Sequence, residues 1–151
     1  MSNSESCFPS VPGSYLLVLY LCRRTDLPIG KLGCFSFPRG WYFYAGSAFG
    51  QGGLQGRLSH HLRPVRKHHW HIDYLRSSAE LRAIWYQVAV NNEHLWSREL
   101  GDLSHAEFPV DGFGASDCEC SSHLVYLSRR PGQRQLRAWL GGSGVRCQSL
   151  S

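Results

Sequence analysis

Residues 40–75 read GWYFYAGSAFGQGGLQGRLSHHLRPVRKHHWHIDYL, and this stretch decides how the chain folds. Its opening aromatic run, Trp41–Ala45, predicts a β-strand. The next segment, residues 46–53, holds four glycines and predicts a loop whose backbone can approach a ligand closely. Residues 54–62 place a leucine at every fourth position, which predicts a short amphipathic helix that Pro64 ends. The stretch therefore predicts a strand, a glycine-rich loop and a helix in succession.

Two further strands are predicted before this unit. The run Tyr15–Cys22 is apolar without interruption, which predicts a strand that is buried on both faces at the centre of its sheet. Cys34–Phe37 predicts a second short strand, after a turn-rich segment at residues 23–33. Together with Trp41–Ala45, these strands predict an antiparallel meander that ends near residue 46.

The second half of the chain predicts a mixture of strands and helices. Residues 70–75 predict a strand or a turn, and residues 83–90 predict a strand. Asn92 is a typical helix N-cap, and the apolar stripe that follows it predicts a helix up to Leu103. Weaker patterns predict a late strand at residues 122–128 and a final short helix at residues 135–140.

This order of elements, β-β-β-α-β-α-β with a short final helix, indicates an α+β fold. We expect a small, mostly antiparallel β-sheet flanked by helices. One domain would span residues 13–140, between a flexible leader at residues 1–12 and a flexible tail at residues 141–151. The length of 151 residues suits a single domain with a hydrophobic core.

The composition excludes several classes of protein. Hydrophobic residues make up 42% of the chain and aromatic residues 13%, which is typical of a globular and not of a disordered protein. The longest apolar run is far shorter than the roughly 20 residues of a membrane helix, so we expect no membrane association. The N-terminus lacks the order of a secretion signal, and the six cysteines are irregularly spaced. We therefore expect reduced thiols and a cytoplasmic location.

Positive charge is concentrated in one segment. The formal net charge is +5, and five basic residues lie between positions 57 and 76 against a single acid, Asp73. Five of the eight histidines lie there too, which favours a local basic face for a polyanionic partner. The side chains expected to contact nucleic acid on this face are Arg63, Arg66, Lys67, His69 and His71.

Two histidine-containing clusters also have an interpretation as metal sites. If residues 68–73 are extended, His69, His71 and Asp73 share one side of a strand, which would suit a transition metal. The alternative is a basic, aromatic loop that contacts DNA. Cys118, Cys120 and His123 hint at zinc, although Cys-x-Cys is not the usual ligand spacing and buried thiols are the alternative.

Several sequence blocks match one known superfamily in the correct order. Gly13-Ser14-Tyr15 and Tyr44-Ala45-Gly46 lie where the GIY-YIG nuclease superfamily has its two signature tripeptides, and Arg57–His61 resembles its Arg-Leu-x-x-His helix. The chain is similar to one branch of it, small GIY-YIG-like proteins that occur alone or fused to endonuclease-III-type repair domains. The resemblance covers roughly residues 13–128 and rests on four segments, which read LGCFSFPRGWYFYAGSA, GGLQGRLSHHLR, KHHWHIDYL and VDGFGASDCECSSHL.

The resemblance implies a site that hydrolyses phosphodiester bonds. Tyr44 would orient or deprotonate the attacking water, with Tyr15 hydrogen-bonded nearby. Arg57 would contact the phosphate as a permanently charged fork. His61 would assist proton transfer or bind the nucleic-acid backbone.

The resemblance also implies a metal cofactor, Mg²⁺ or Mn²⁺. Glu93 aligns with the metal-binding glutamate of the superfamily, although only the first residue of that family pattern is retained here. Glu99 is the second candidate. A cation with one carboxylate ligand would keep several of its waters.

The implied function is a divalent-metal-dependent endonuclease that cleaves DNA, with a role in DNA repair, and the sequence leaves RNA open as a substrate. For selectivity, a domain of this size would need a partner domain or a homodimer. The first alternative is a catalytically inactive module that binds nucleic acid through the basic Arg57–Lys67 face. The second is a metal-binding or interaction protein built on the histidine and cysteine clusters.

Overall fold

The computed structural model describes residues 8–114, 122–142 and 144–150. The strands in this part of the chain are β1 (Gly13–Leu21), β2 (Thr25–Pro28), β3 (Cys34–Phe37), β4 (Gly40–Ala48), β5 (Glu80–Val88), β6 (Leu124–Leu127) and β7 (Arg146–Ser149). The α-helices are α1 (Gly53–Leu62), α2 (His71–Arg76), α3 (Glu93–Gly101) and α4 (Gln133–Trp139). The fold is α+β, as predicted. None of the described helices is long and apolar enough to cross a membrane.

Five strands form one antiparallel sheet in the order β6-β4-β1-β5-β7. Strand β1 is central and buried along almost its whole length, which confirms the prediction from its uninterrupted apolar sequence. Its pairing with β4 runs from Gly13 opposite Ala48 to Leu21 opposite Gly40. This register places Tyr15 directly opposite Gly46, so the two signature tripeptides are neighbours in the sheet.

The predicted meander is wrong in its pairing. Strand β1 pairs with β4, whereas β2 and β3 form a separate two-stranded sheet. These two strands are short and largely exposed, and each has one buried side chain, Leu27 in β2 and Phe37 in β3. The long apolar strands gain more by pairing with each other, because both of their faces are then covered.

Side chains along β1 alternate between two cores, as the period of two in a strand requires. Leu17 and Leu19 pack with apolar side chains of α1 and α2 on one face of the sheet. Leu16 and Val18 pack with side chains of α3 and α4 on the other face. The helices from the two halves of the chain therefore cover opposite faces.

The segment after Trp70 forms helix α2 and not the predicted strand or turn. The Asp73 carboxylate explains this difference, because its Oδ2 accepts hydrogen bonds from the backbone N–H groups of His69 and Trp70, both at 2.9 Å. These bonds satisfy donors that precede the first helical turn and so favour the helix. The extended arrangement of His69, His71 and Asp73 that the transition-metal hypothesis requires does not form.

Both ends that were predicted to be flexible pack onto the domain within the described residues. Strand β7 lies in the predicted tail and pairs with β5, with Ala83 opposite Ser149. Phe8 lies in the predicted leader, is buried, and packs edge-on against Tyr86. Local sequence gives little signal for β7, since the strand forms by pairing with an edge that β5 would otherwise leave open.

Gly46 is required by the close approach of β4 to Tyr15. A Cβ atom at Gly46 would overlap the Tyr15 ring, which is fully buried and has no room to move aside. We expect Gly46→Ala to lower the free energy of unfolding by about 1–3 kcal/mol in chemical denaturation. Gly50→Ala is the matched control, because a Cβ at Gly50 has no neighbour within 4 Å. Equal stability of the two variants would contradict this account of the Tyr-Ala-Gly tripeptide.

Candidate functional site

A polar cleft of about 340 Å³ lies at the end of the sheet where β1 begins and β4 ends. The residues that line it are Tyr44, Gly46, Ser47, Arg57, His69, Trp70, His71, Glu93, His94, Gly114 and His123. They come from β4, α1, the start of α2, the start of α3 and the segments around residues 114 and 123. Five of the side chains predicted from the sequence therefore line one cleft, namely Tyr44, Arg57, His69, His71 and Glu93.

Tyr15 and His61 lie behind this cleft and do not line it. The Tyr15 hydroxyl is 2.9 Å from His61 Nε2, and both side chains are almost completely buried. The Tyr15 ring occupies the space that a side chain at position 46 would fill. A His61 side chain that is 1% exposed does not reach a nucleic-acid backbone, so the geometry argues against that part of its predicted role.

Burial raises the pKa of both Tyr15 and Tyr44 above the ordinary phenol value, because a buried phenolate loses its hydration. The neighbouring Tyr15 and the Glu93 carboxylate raise the pKa of Tyr44 further, whereas Arg57 lowers it. Both hydroxyls are therefore protonated near neutral pH. Tyr44 faces the cleft and can donate its hydroxyl hydrogen to a ligand or accept one from water.

Arg57 extends from α1 into the cleft and is held by an aromatic ring. Its guanidinium carbon lies 4.3 Å from the ring centroid of Trp70, which is a cation–π contact. Among the described residues that line the cleft, Arg57 is the only arginine or lysine. Its planar fork of donors suits a phosphate group.

Glu93 is the first residue of α3, and both of its carboxylate oxygens are engaged. Oε2 accepts a hydrogen bond from Ser47 Oγ at 2.7 Å, and Oε1 lies 2.8 Å from His123 Nδ1. Burial by itself would raise the pKa of Glu93, but the hydrogen bonds from His123 and Ser47 outweigh it and lower the pKa below its ordinary value. The cleft therefore contains an ionised carboxylate at neutral pH.

Ser14 positions the start of α3. Its Oγ donates a hydrogen bond to the carbonyl of Val90 at 2.6 Å and accepts one from the backbone N–H of Asn92 at 3.1 Å. The middle residue of the first tripeptide therefore ties β1 to the turn that carries Glu93.

Sequence reasoning missed both partners of Glu93. Ser47 carries no sequence signal, because its contact with Glu93 joins residues 46 positions apart. His123 was assigned to the candidate zinc cluster, and the structure places it beside Glu93. Cys118 and Cys120, the other members of that cluster, lie outside the described residues.

Glu93 fits the role of a ligand to Mg²⁺ or Mn²⁺. Hard cations prefer carboxylate oxygens, and Mg²⁺ is often held by one or two carboxylates while it keeps several waters. Within the described part of the chain, each oxygen of Glu93 takes part in one contact and so retains a further lone pair. Within the described lining, no other Asp or Glu is present. Glu99, the second candidate, is exposed and does not line the cleft.

The predicted nucleic-acid contacts fall on two adjoining surfaces. His69 and His71 line the cleft, whereas Arg63, Arg66 and Lys67 line a separate depression of about 620 Å³. His69 lines both. We call the second surface, formed by His60, Arg63, Pro64, Val65, Arg66, Lys67, His69 and Arg76, the basic depression.

The first turn of α1 does not offer free amides to a phosphate. The backbone N–H groups of Leu54 and Gln55, in the first turn of α1, donate to the carbonyls of Val11 and Pro9 at 2.9 and 3.0 Å. The leader segment therefore caps α1, and the helix N-terminus is already satisfied by the chain itself. Gly52 and Gly53 are needed for backbone conformation, since their φ values are 87° and 59°.

His60, His61 and Asp73 form a compact cluster, with one candidate ligand atom of each within 4.8 Å of the others. The Asp73 carboxylate is completely buried and lies 3.2 Å from His60 Nε2 and 3.8 Å from Arg76. Because the charge of Arg76 already balances that of Asp73, we interpret the cluster as a polar network that joins α1 to α2.

A family model described as "Domain of unknown function DUF123" matches residues 14–140. The chain belongs to the DUF123 family. This is a GIY-YIG-like family of unknown function, so the resemblance seen in the sequence is confirmed at that level. No curated protein and no solved structure gives a significant match to this DUF123 chain. The matched range includes every residue that lines the cleft.

We expect acid to destabilise this DUF123 protein through His61. Burial lowers the pKa of His61 well below its ordinary value, and the charges of Arg76, His60 and Arg57 lower it further. The unfolded chain binds a proton at its ordinary pKa of about 6.5, whereas the folded chain does not. This contribution to stability is therefore complete above that pH and is lost as the pH falls below it, by at most about 1.4 kcal/mol per pH unit.

Urea denaturation at a series of pH values from about 8 down to about 5 measures this slope. His61→Gln should flatten it, leaving the part due to His71, whose pKa is also lowered by burial. Gly50→Ala removes no titratable group and should keep the wild-type slope. An unchanged slope in His61→Gln would show that another group causes the acid sensitivity.

Proposed function

We propose that this DUF123 protein is a divalent-metal-dependent endonuclease that hydrolyses phosphodiester bonds in DNA, with a role in DNA repair. The observation that carries the proposal is the meeting of Tyr44, Arg57 and Glu93 in one cleft. These side chains come from a strand and from two helices on opposite faces of the sheet. Their chemistry supplies three things that the reaction uses, namely a water-orienting group, a fixed cation and a metal-binding carboxylate.

In the proposed reaction Arg57 binds the non-bridging oxygens of the scissile phosphate, and its contact with Trp70 fixes its direction. A Mg²⁺ or Mn²⁺ ion held by Glu93 would act as a Lewis acid on the phosphate when bound. Tyr44 holds the attacking water through its hydroxyl. Because burial raises its pKa, Tyr44 orients the water as a neutral phenol and is a poor base by itself.

Tyr15 and His61 support Tyr44 from behind. His61 accepts or donates the hydrogen bond to the Tyr15 hydroxyl, and its ring meets the Tyr44 ring edge-on with centroids 6.5 Å apart. These contacts hold the Tyr44 ring in one orientation. Tyr15 also affects Tyr44 electrostatically, because its proximity raises the pKa of the Tyr44 hydroxyl and so keeps that hydroxyl protonated.

The basic depression supports the choice of a nucleic-acid substrate. Arg63, Arg66 and Lys67 adjoin the cleft at His69, so a polyanion bound in the cleft can continue over them. These contacts would bind the backbone without reading sequence. Selectivity would then come from a partner domain or from a second copy of the chain.

The test is cleavage of supercoiled plasmid, branched DNA oligonucleotides and RNA by the purified protein with Mg²⁺, Mn²⁺ or EDTA. We expect nicking of at least one DNA substrate with either metal and none with EDTA. Binding to the same substrates is measured in parallel by fluorescence anisotropy. Binding of every substrate without cleavage of any would refute the nuclease proposal.

A second candidate is a catalytically inactive nucleic-acid-binding module. The basic depression favours it, because that surface could bind a polyanion without any reaction in the cleft. The variant Arg66→Ser/Lys67→Ser distinguishes the two. In a binding module it removes most of the affinity, whereas in the nuclease it weakens binding and leaves cleavage at saturating DNA nearly intact.

A further inference from the structure

His71 takes part in a hydrogen bond that fixes where its proton lies. The backbone N–H of Gly114 donates to His71 Nδ1 at 2.8 Å. A backbone amide can only donate, so Nδ1 must be the nitrogen that carries the lone pair. In a neutral imidazole the proton is then on Nε2. The structure therefore assigns one tautomer to His71.

The same contact disfavours the charged form of the ring. Protonation of Nδ1 would place two N–H groups against each other and break the bond from Gly114. Partial burial acts in the same direction and lowers the pKa of His71. His71 is therefore a neutral Nε2–H donor near neutral pH, where Tyr44 is protonated and Glu93 is ionised.

This donor is unused within the described part of the chain. His71 lines the cleft beside Arg57 and Glu93, its ring packs against Phe113, and no described acceptor lies within hydrogen-bond distance of Nε2. Asp73 fixes the backbone just before it, through the bonds to the N–H groups of residues 69 and 70. An oriented donor without a partner among the described residues is suited to a ligand acceptor.

We propose that His71 is a catalytic residue of the reaction proposed above, and that its Nε2–H donates a hydrogen bond to an oxygen of the scissile phosphate. The inference rests on the nuclease function. A neutral donor stabilises negative charge on the phosphate without repelling a cation at Glu93, which an imidazolium would do. Both residues thus contact the phosphate: Arg57 contributes a positive charge, and His71 contributes a neutral hydrogen-bond donor.

Two substitutions separate the two nitrogens of His71. In His71→Asn the amide oxygen takes the place of Nδ1 and accepts from Gly114, but the donor at the Nε2 position is gone. In His71→Gln the amide nitrogen reaches the Nε2 position, while Gly114 loses its acceptor. We expect His71→Gln to keep kcat within about tenfold of wild type and His71→Asn to lose about 100-fold, with KM for DNA little changed in either. Equal losses in the two variants, or full activity of His71→Asn, would overturn the donor role while the nuclease function stands.

The tautomer is tested without any reaction by ¹⁵N–¹H correlation spectra of the histidine side chains, with His71 assigned from the His71→Gln variant. We expect a neutral ring protonated at Nε2 at about pH 7. The ring should stay neutral at a lower pH than an exposed histidine does, because burial lowers its pKa. A ring protonated at Nδ1, or an imidazolium near neutral pH, would overturn the assignment even if the protein cleaves DNA. If no substrate is cleaved but the spectra show the Nε2–H form, the proposed function fails and the catalytic role fails with it, while the tautomer assignment stands.

Discussion

Arg57→Ala is expected to reduce DNA cleavage by about 100- to 1,000-fold, the usual effect of removing one fixed donor from a site where negative charge develops. The effect should be large because no other arginine or lysine lies in the described lining of the cleft. Arg57→Lys should be intermediate, since lysine keeps the charge but loses the planar fork and most of the contact with Trp70. The measurement is kcat/KM on the best substrate found for the wild type.

Arg130→Ala is the matched control for Arg57. Arg130 also places its guanidinium over a tryptophan, with its carbon 4.8 Å from the ring centroid of Trp41, and it does not line the cleft. The substitution removes the same charge and the same kind of contact. We expect activity within about twofold of wild type. Equal loss in both variants would mean that general positive charge matters, and that Arg57 has no special contact with the phosphate.

Glu93→Gln is expected to abolish metal-dependent cleavage, with a loss of about 100- to 1,000-fold at saturating DNA. The amide keeps the shape of the side chain and can still accept from Ser47, but it lacks the charge that a divalent cation requires. Raising the Mg²⁺ concentration should restore part of the activity, because the loss lies in metal binding. Mn²⁺ binding, measured by electron paramagnetic resonance, should weaken in parallel.

Glu99→Gln serves as the control on the same helix. Glu99 is exposed and lies outside the cleft, so its substitution should leave both Mn²⁺ binding and cleavage unchanged. If Glu93→Gln cleaves normally while Arg57→Ala does not, the nuclease would stand but its metal ligand would have to be sought elsewhere. If Glu99→Gln is the inactive variant, the assignment of the glutamate from the sequence is wrong.

Much of the site could be anticipated because its parts lie in short, ordered motifs. Tyr44, Arg57 and Glu93 each follow a local signal: the end of an aromatic strand, a leucine-spaced helix and a helix start. The structure brings these three side chains into one cleft. Their proposed roles await the experiments above. His71 was expected on the nucleic-acid surface, and its link to Gly114 had no local signal, because 43 positions separate the two residues.

Most of the errors share one physical cause, which is that tertiary contacts outweighed weak local patterns, whereas the error at residues 70–75 came from a local side-chain contact. Residues 70–75 gave no clear period, and the Asp73 carboxylate decided for a helix by bonding two preceding N–H groups. Strand β7 formed because β5 presented an open edge. Pro9 and Val11 looked like a loose leader, but their carbonyls satisfy the first turn of α1.

The sequence by itself determined the α+β class, the central position of β1 and the family, because each depends on local periodicity or on ordered motifs. Tertiary structure alone decided which side chains face the cleft and which stand behind it. Tyr15 and Tyr44 were both predicted from the sequence to belong to the site, yet only Tyr44 lines the cleft, since the Tyr15 ring packs over Gly46 and its hydroxyl bonds to His61. Such differences arise from strand register and from contacts between distant residues, which no local pattern encodes.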